Sequence, residues 1–123
     1  MNREFNLYVY SNDANFCSAL AIECNSYGFE LTFFEMVDVR NDFIGDSKVF
    51  SVIIIDLSEK DLDERLKAAE KIRLKTDFPI FGTANKLSKE LQNKTKDYGY
   101  DLIFTKRMLL KSLKKVVAHV LDQ

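Results

Sequence analysis

Polar and hydrophobic residues alternate along the chain in blocks that predict five β-strands. Each block is short, rich in aromatic and β-branched side chains, and bounded by polar or turn-forming residues. The predicted strands cover residues 5–10, 29–35, 49–56, 77–84 and 101–105. The third, "VFSVIIID", is almost continuously apolar, which is typical of a parallel strand that is buried on both faces of its sheet.

Between the strands, apolar residues recur at helical spacing. The first connection has N-cap residue types in "SNDA", and Gly28 stands where a helix commonly ends. Its apolar residues are four positions apart: Phe16, Leu20 and Cys24. The second connection, residues 36–48, is ambiguous, although Asp38 could cap a short helix that ends at Gly45.

Three further helices are predicted in the second half of the chain. The third helix opens with Ser58 and has Asp61 three residues later, which resembles a capping box. Its expected buried residues are Leu62, Leu66, Ala69 and Ile72. The fourth is weaker, with Leu87 and Leu91 at its apolar edge, and ends at Gly99. The fifth is amphipathic, with Leu109, Leu113, Val116, Val117 and Val120 facing inward.

Strand and helix therefore alternate five times with short connections. This order favours an α/β domain with a parallel sheet and helices on both faces. Five units are too few for an eight-unit barrel. We expect residues 1–123 to form one domain with a flavodoxin-like (βα)5 doubly wound fold, and a five-stranded parallel sheet in the order 2-1-3-4-5.

The composition narrows the class of protein. Hydrophobic residues make up 46% of the 123 residues and charged residues 30%, the profile of a folded globular chain. No apolar run approaches the ~20 residues that span a bilayer. The start, "MNREFNLYVY", lacks the cleavage site of a secretory signal, so we expect a cytoplasmic protein with no membrane partner.

Charge and cysteine content add two expectations. Residues 1–64 contain 13 acidic and 4 basic residues, whereas residues 65–123 contain 6 acidic and 14 basic residues, so the molecule should be dipolar. Cys17 and Cys24 are about two helical turns apart, too far for a disulfide, which predicts free thiols and leaves a redox role as the alternative. The single histidine, His119, is expected at the surface.

Polar side chains follow four of the predicted strands. They are Ser11, Asn12 and Asp13 at the end of the first strand, Asp56 and Ser58 at the end of the third, Thr83 at the end of the fourth, and Thr105 and Lys106 at the end of the fifth. The carboxyl ends of parallel strands meet at one edge of a sheet, so a carboxylate, a hydroxyl and an ammonium group should converge. Such a trio suits phosphoryl transfer to the carboxylate, usually completed by Mg²⁺.

Through these residues and their order on the five-fold strand–helix pattern, the sequence resembles the receiver domain of bacterial two-component response regulators, the family of the chemotaxis response regulator. The resemblance covers essentially the whole chain. It implies that Asp56, closing "VIIID", is the candidate phospho-acceptor, that Thr83 in "FGTA" is the conserved hydroxyl residue, and that Lys106 in "FTKR" is the conserved lysine.

The departures from the family are equally informative. Ser11 and Asn12 occupy the positions of two acids that hold Mg²⁺ in the family, and Asp13 is one residue too late and expected to point elsewhere. Arg107 stands where a proline follows the lysine, which leaves the direction of Lys106 open. The switch aromatic on strand 5 is Ile103 here.

Each candidate also has a purely structural interpretation. Asp56 could end a strand while Ser58 caps the next helix, Thr83 could be a turn residue, and Lys106 could be a solvated lysine. Asp13 is either the N-cap of the first helix or a metal ligand. The proposed weak or lost Mg²⁺ site comprises Asp56, Asn12, Asp13 and Ser58.

Our main hypothesis is an atypical receiver domain, a pseudo-receiver, that is not an enzyme. It would act in phosphorelay-type signal transduction through protein–protein interaction, with an incomplete phosphorylation site. The alternative is a working response regulator, phosphorylated on Asp56 by a histidine kinase or phosphotransfer partner, with Mg²⁺ and with Asp13 supplying metal-site charge. A small flavodoxin-like cofactor binder is a third hypothesis, disfavoured because "YSNDAN" lacks the run of Ser, Thr and Gly amides that would cradle a phosphate.

Basic residues concentrate in the fourth and fifth predicted helices: Lys86, Lys89, Lys94, Lys96, Lys106, Arg107, Lys111, Lys114 and Lys115. In receiver domains the helix 4–strand 5–helix 5 face is the usual output and dimer surface. The resemblance therefore implies docking of a protein partner (histidine kinase, phosphotransfer or output protein), and it allows a homodimer. A solvated charged face is the alternative. The near-zero net charge and the lack of a recognition motif argue against nucleic acid.

Overall fold

The computed structural model describes residues 5–35, 50–58 and 60–121. Its elements are β1 (Phe5–Tyr10), α1 (Ala14–Tyr27), β2 (Glu30–Phe33), β3 (Phe50–Asp56), α2 (Leu62–Arg73), β4 (Ile80–Ala84), α3 (Lys89–Asp97), β5 (Leu102–Thr105) and α4 (Lys106–Leu121). The second predicted helix, with Asp38 and Gly45, lies outside the described residues. Helices α2, α3 and α4 therefore correspond to the third, fourth and fifth predicted helices.

All five strands belong to one parallel sheet in the order β2-β1-β3-β4-β5. The register pairs Asp56 of β3 with Thr83 of β4, and Thr83 with Phe104 of β5. The predicted fold class and strand order are confirmed. Because the strands are parallel, the ends of β1, β3, β4 and β5 lie at the same edge of the sheet.

Each face of the sheet carries its own hydrophobic core. One core joins β1, β3 and β4 to α1 and α4, through buried residues that include Leu20, Leu109 and Leu113. The other joins the opposite face to α2, through residues that include Leu66 and Ile72. The central strand β3 is buried along all but its first residue, as its continuous apolar run predicts. No helix in the described ranges is long and apolar enough to cross a lipid bilayer.

Local signals for the helix ends were partly right. Asp13 caps α1 by accepting a hydrogen bond from the amide of Phe16 at 3.1 Å, and Gly28 ends the helix at φ 74°. The prediction that Ser58 opens the third helix is wrong, since α2 begins at Leu62. The Ser58 hydroxyl instead donates to the Asp56 carboxylate, because an ionised acceptor makes the stronger hydrogen bond.

Both cysteines are free thiols, as predicted. Cys24 is buried in the core, and burial raises the pKa of its thiol to about 11, so the group stays protonated. Cys17 is half-buried, and its thiol donates to the backbone carbonyl of Ser11 at 3.7 Å. Burial raises the pKa of the Cys17 thiol as well, which disfavours the reactive thiolate.

A side-chain clamp fixes the opposite edge of the sheet, where β4 and β5 begin. Asp101 accepts hydrogen bonds from the Ile80 amide and from Arg73, both at 2.8 Å. The Arg73 guanidinium also donates to the carbonyls of Phe78 and Gly99. These bonds join α2 to the entry of two neighbouring strands and help to fix their register.

We expect Asp101→Ala to lower the free energy of unfolding by about 1–2 kcal/mol, because it removes the acceptor of a strand amide. Asp101→Asn should cost less, since its side-chain oxygen can still accept from Ile80. Urea unfolding of both variants measures the difference. Equal destabilisation by the two substitutions would contradict this account.

Candidate functional site

The site is built around the last residue of the central strand. Asp56 ends β3 and is 0% exposed, although it is acidic. Side chains alternate along a strand, so the Asp56 carboxyl group lies on the same face as Ile54, the face covered by α1 and α4. A buried carboxylate requires partners, because an unpaired one costs several kcal/mol.

Three neighbouring side chains supply those partners. Ser11 donates its hydroxyl to Asp56 Oδ2 at 2.6 Å, and Lys106 Nζ lies 3.0 Å from the same oxygen. Ser58 donates both its hydroxyl, at 2.6 Å, and its backbone amide, at 3.0 Å, to Oδ1. Both carboxylate oxygens are therefore engaged by groups that directly follow β1 and β3 and by the first residue of α4.

Lys106 joins a second carboxylate to the first. Its Nζ is 2.8 Å from Asp13 Oδ2 while Asp13 Oδ1 caps α1, and the lysine side chain is only 11% exposed. The backbone amide of Asp13 donates to the Ser11 hydroxyl oxygen at 3.1 Å. We call Ser11, Asp13, Asp56, Ser58 and Lys106 the strand-end cluster.

Hydrogen bonding outweighs burial in setting the charges of this cluster. Burial raises the pKa of Asp56, but the bonds from Ser11, Ser58 and Lys106 together leave it below its ordinary value. The bond from Lys106 is the main cause of the lowered pKa of Asp13. Burial lowers the pKa of Lys106, yet its two carboxylate partners raise it overall. All three groups are thus charged near neutral pH.

Thr83 is the remaining member of the predicted trio. It lies beside Asp56 in the register of β3 and β4, on the same face of the sheet, and is 0% exposed. Its hydroxyl has no hydrogen-bond partner within the part of the chain that the structure describes. The three predicted residues therefore meet at one edge, but Thr83 takes no part in the hydrogen-bonded cluster.

Several site predictions are corrected by these contacts. Asp13 does not point away, because capping α1 with one oxygen leaves the other free to meet Lys106. Lys106 reaches Asp56 even though Arg107 follows it. Asn12 is exposed, unlike Asp56. Among the described residues, no group of three or more His, Cys, Asp or Glu side chains could hold a metal ion.

The roles of two important residues were not predicted from the sequence. Ser11 was placed among the polar residues at the strand ends and as a replacement for an acid, but its hydroxyl was not expected to donate to the Asp56 carboxylate. Arg65 was not considered, yet it is 0% exposed beneath the cluster. A signal was present, because Arg65 lies four and seven residues before Ala69 and Ile72, on the buried stripe of α2.

The basic residues of the last helix do not share one face. Lys106 is held inside the strand-end cluster. Arg107 and Lys111 line a groove of about 510 Å³ between α1 and α4, and Lys114 Nζ lies 5.6 Å from the centre of the Tyr27 ring on α1. These three side chains therefore face α1, rather than the α3–β5–α4 face predicted for docking.

The strand-end cluster should make the free energy of unfolding depend on pH. Asp13 and Asp56 have lowered pKa values in the folded protein, so their contribution is present above about pH 4 and is lost as the pH falls through the folded values. Between about pH 7 and about pH 3 the wild type should lose more unfolding free energy than Asp56→Asn, by at most about 1 kcal/mol, because pH 3 is only about one unit below the ordinary pKa of an aspartate.

Urea unfolding at the two pH values measures this difference. Asp97→Asn is the matched control, because Asp97 is an exposed acid on α3. If Asp56→Asn showed the same acid dependence as the wild type and the control, the charged state of Asp56 would be refuted.

Comparisons with known proteins bear on the fold. No protein-family model and no curated protein sequence matches the chain. Solved structures do match: a CheY-like response regulator from Mesorhizobium loti is 19% identical, with 97% of this chain and 99% of that chain covered and a TM-score of 0.73.

Two further structures agree. A response regulator from Thermotoga maritima is 16% identical, with 99% and 100% of the two chains covered and a TM-score of 0.76. A CheY-like protein from Pseudomonas aeruginosa is 11% identical, with 97% and 99% covered and a TM-score of 0.80. The chain therefore has the fold of CheY-like response-regulator receiver domains, as the sequence resemblance predicted.

Proposed function

We propose that this chain is an atypical receiver domain, a pseudo-receiver, that signals through protein–protein interaction without phosphorylation of Asp56. The observation that carries the proposal is the state of Asp56. Its residue is 0% exposed, and both carboxylate oxygens already accept hydrogen bonds at 2.6–3.0 Å. A phosphodonor has to reach one of these oxygens, so the cluster must open before any transfer.

The donor set does not fit the magnesium ion that receiver domains generally use. Mg²⁺ favours several oxygen ligands with negative charge and gives up its water reluctantly. Here Ser11 stands where the family has an acid, and its hydroxyl donates a proton to Asp56 rather than offering a negative charge. The Lys106 ammonium lies against Asp13 and Asp56, the two acids that could serve a cation.

Lys106 supports a phosphate-independent state by electrostatics. One ammonium group, on a side chain that is 11% exposed, lies between the buried carboxylate of Asp56 and the partly exposed one of Asp13 and neutralises much of their charge. The hydroxyls of Ser11 and Ser58 satisfy the remaining acceptor sites. The strand ends and the start of α4 are thus held together by the protein's own groups.

One observation favours the alternative, a working response regulator. The Thr83 hydroxyl is buried beside Asp56 and lacks a partner among the described residues, and Lys106 already contacts Asp56. A phosphoryl group on Asp56 would give both residues an oxygen to bind. The cost of an unsatisfied buried hydroxyl, about 1–3 kcal/mol, would then be relieved.

Incubation with a small phosphodonor and Mg²⁺, followed by intact mass measurement, tests the proposal. We expect no phosphoryl adduct on the wild type, because Asp56 is covered and the metal ligands are incomplete. In the Ser11→Asp/Asn12→Asp variant, which places acids at the two replaced positions, we expect Mg²⁺-dependent phosphorylation of Asp56.

The triple variant that also carries Asp56→Asn is the control and should remain unmodified. A single phosphoryl adduct on the wild type that disappears in Asp56→Asn would overturn the pseudo-receiver proposal and establish the alternative. The double variant shows that a negative wild-type result reflects the replaced acids rather than a failed reaction.

We further propose that a protein partner docks on the α3–β5–α4 face. Exposed lysines line α3, including Lys89 and Lys96, while Leu102 is 48% and Met108 is 51% exposed at β5 and α4. Positive charge around exposed apolar side chains suits an acidic segment with apolar anchors. We also propose that the protein is cytoplasmic, that it is not an enzyme and that it can form a homodimer.

An acidic probe tests the charge of this face. NMR titration with a poly-glutamate peptide should shift the amides of α3 most, and Lys89→Gln/Lys96→Gln should weaken binding roughly three- to tenfold, as expected for two exposed charge contacts. Lys67→Gln/Lys71→Gln, which changes two exposed lysines of α2, is the matched control. Equal weakening by both pairs would contradict the proposed face.

A further inference from the structure

A charged side chain lies buried beneath the strand-end cluster, on the other face of the sheet. Arg65 of α2 is 0% exposed, and its guanidinium carbon lies 4.2 Å from the centre of the Tyr10 ring. Tyr10 and Leu66 belong to the core on the α2 face, whereas the Asp56 carboxyl group faces α1 and α4. Arg65 therefore lies on the face of the sheet opposite to the Asp56 carboxyl group.

The guanidinium joins the last residues of two neighbouring strands. Arg65 Nη1 donates to the backbone carbonyl of Asp56 at 2.9 Å and to that of Tyr10 at 3.4 Å. Those carbonyls end β3 and β1, so one nitrogen bridges the strand that ends at Asp56 and the strand that Ser11 directly follows. The spacing of these strand ends determines whether the two side chains meet.

The same residue is also fixed at its own backbone. Tyr100, just before β5, donates its hydroxyl to the Arg65 carbonyl at 2.6 Å. Arg65 Nε lies 2.7 Å from Asp61 Oδ1, which orients the guanidinium plane. Side chain and main chain of Arg65 thus connect β1, β3 and the start of β5.

Stability alone does not account for an arginine here. Asp61 is 39% exposed, so the buried guanidinium is paired with a carboxylate that is itself only partly buried. Nη2 is buried and has no partner within the described part of the chain. Replacing a buried charge of this kind with an apolar residue of similar volume is often neutral or stabilising. The geometry that Arg65 imposes is the better explanation.

We propose that Arg65 is a positioning residue, which holds the ends of β1 and β3 at the spacing that lets Ser11, Ser58 and Lys106 enclose the Asp56 carboxylate. It acts through backbone carbonyls and does not touch the carboxylate itself. The inference concerns the same site as the proposed function, yet it holds for the unmodified protein whether or not Asp56 can be phosphorylated.

The test is a pH titration of the Asp56 side-chain carboxyl carbon by NMR, with amide exchange at Ser58 as a second readout. The groups that face Asp56 are Ser11, Ser58, Thr83 and Lys106, with Asp13 behind the lysine. In Arg65→Met the strand ends should loosen and the hydrogen bonds should weaken. The pKa of Asp56 should then rise by about one unit or more, and the Ser58 amide should exchange faster.

Matched variants separate position from charge and from stability. Arg73→Met removes the arginine that clamps the opposite strand edge, and it should leave the Asp56 titration unchanged. Arg65→Lys keeps the charge but is shorter and lacks the Nε–H that Asp61 orients, so it should hold the two carbonyls poorly and show most of the shift. Tyr100→Phe, which removes only the hydroxyl on the Arg65 carbonyl, should give a smaller shift in the same direction.

Three results would overturn the inference. They are an unchanged Asp56 titration in Arg65→Met, an equal shift in Arg73→Met, and full restoration of the wild-type value by Arg65→Lys, which would indicate charge rather than position. If Arg65→Met does not fold, unchanged titrations in both Arg65→Lys and Tyr100→Phe decide against it. Phosphorylation of the wild type would refute the proposed function and leave this inference standing.

Discussion

The contact between Lys106 and Asp56 is the constraint on which the site depends. A carboxylate that is 0% exposed can stay ionised only if nearby donors replace water, and Lys106 supplies the one cation within bonding distance of Asp56 among the described residues. The fold provides this contact because parallel strands end at one edge, where α4 begins directly after β5. Two residues fifty positions apart in the sequence meet for that reason alone.

The serine hydroxyls determine what this ion pair can do. An ammonium–carboxylate pair by itself would leave acceptor positions on Asp56 for a metal or a phosphodonor. Ser11, directly after β1, and Ser58, just after β3, occupy those positions. A hydroxyl bonded to a buried charge is not lost easily, because its removal uncovers a charged acceptor in a region of low dielectric. Both oxygens of the Asp56 carboxylate are therefore occupied by hydrogen bonds from the protein itself.

The sequence predicted the framework of this site better than its contacts. Strand order and the convergence of Asp56, Thr83 and Lys106 follow from periodicity and topology, which depend on many residues at once. Individual hydrogen bonds depend on competition between local partners, which the pattern does not contain. Ser58 was assigned to a helix cap for this reason, although the ionised carboxylate of Asp56 is the stronger acceptor.

Arg65 and the basic residues of α4 are further cases in which the sequence pattern did not predict the contacts of individual side chains. The position of Arg65 on the buried stripe of α2 could have been recognised, but its carbonyl acceptors belong to strands far away in the sequence. The lysines of α4 were grouped because they are close in sequence. Helical geometry then turns Lys111 and Lys114 toward α1 and leaves Lys106 in the cluster.

The first turn of α4 contains no acidic residue, so the carboxylates that contact Lys106 come from other parts of the chain. Helix N-termini favour negative charge, yet α4 begins with Lys106 and Arg107 and has no acid in its first turn. Asp13 and Asp56 place two carboxylates against Lys106 and so supply the missing negative charge. A phosphoryl group on Asp56 would add charge of the same sign at the same helix end, which this end would also accept. The charges around Lys106 are therefore compatible both with a pseudo-receiver and with a response regulator that is phosphorylated on Asp56. The difference between them depends on whether the hydroxyls of Ser11 and Ser58 can leave Asp56, and thus on how firmly the strand ends are held.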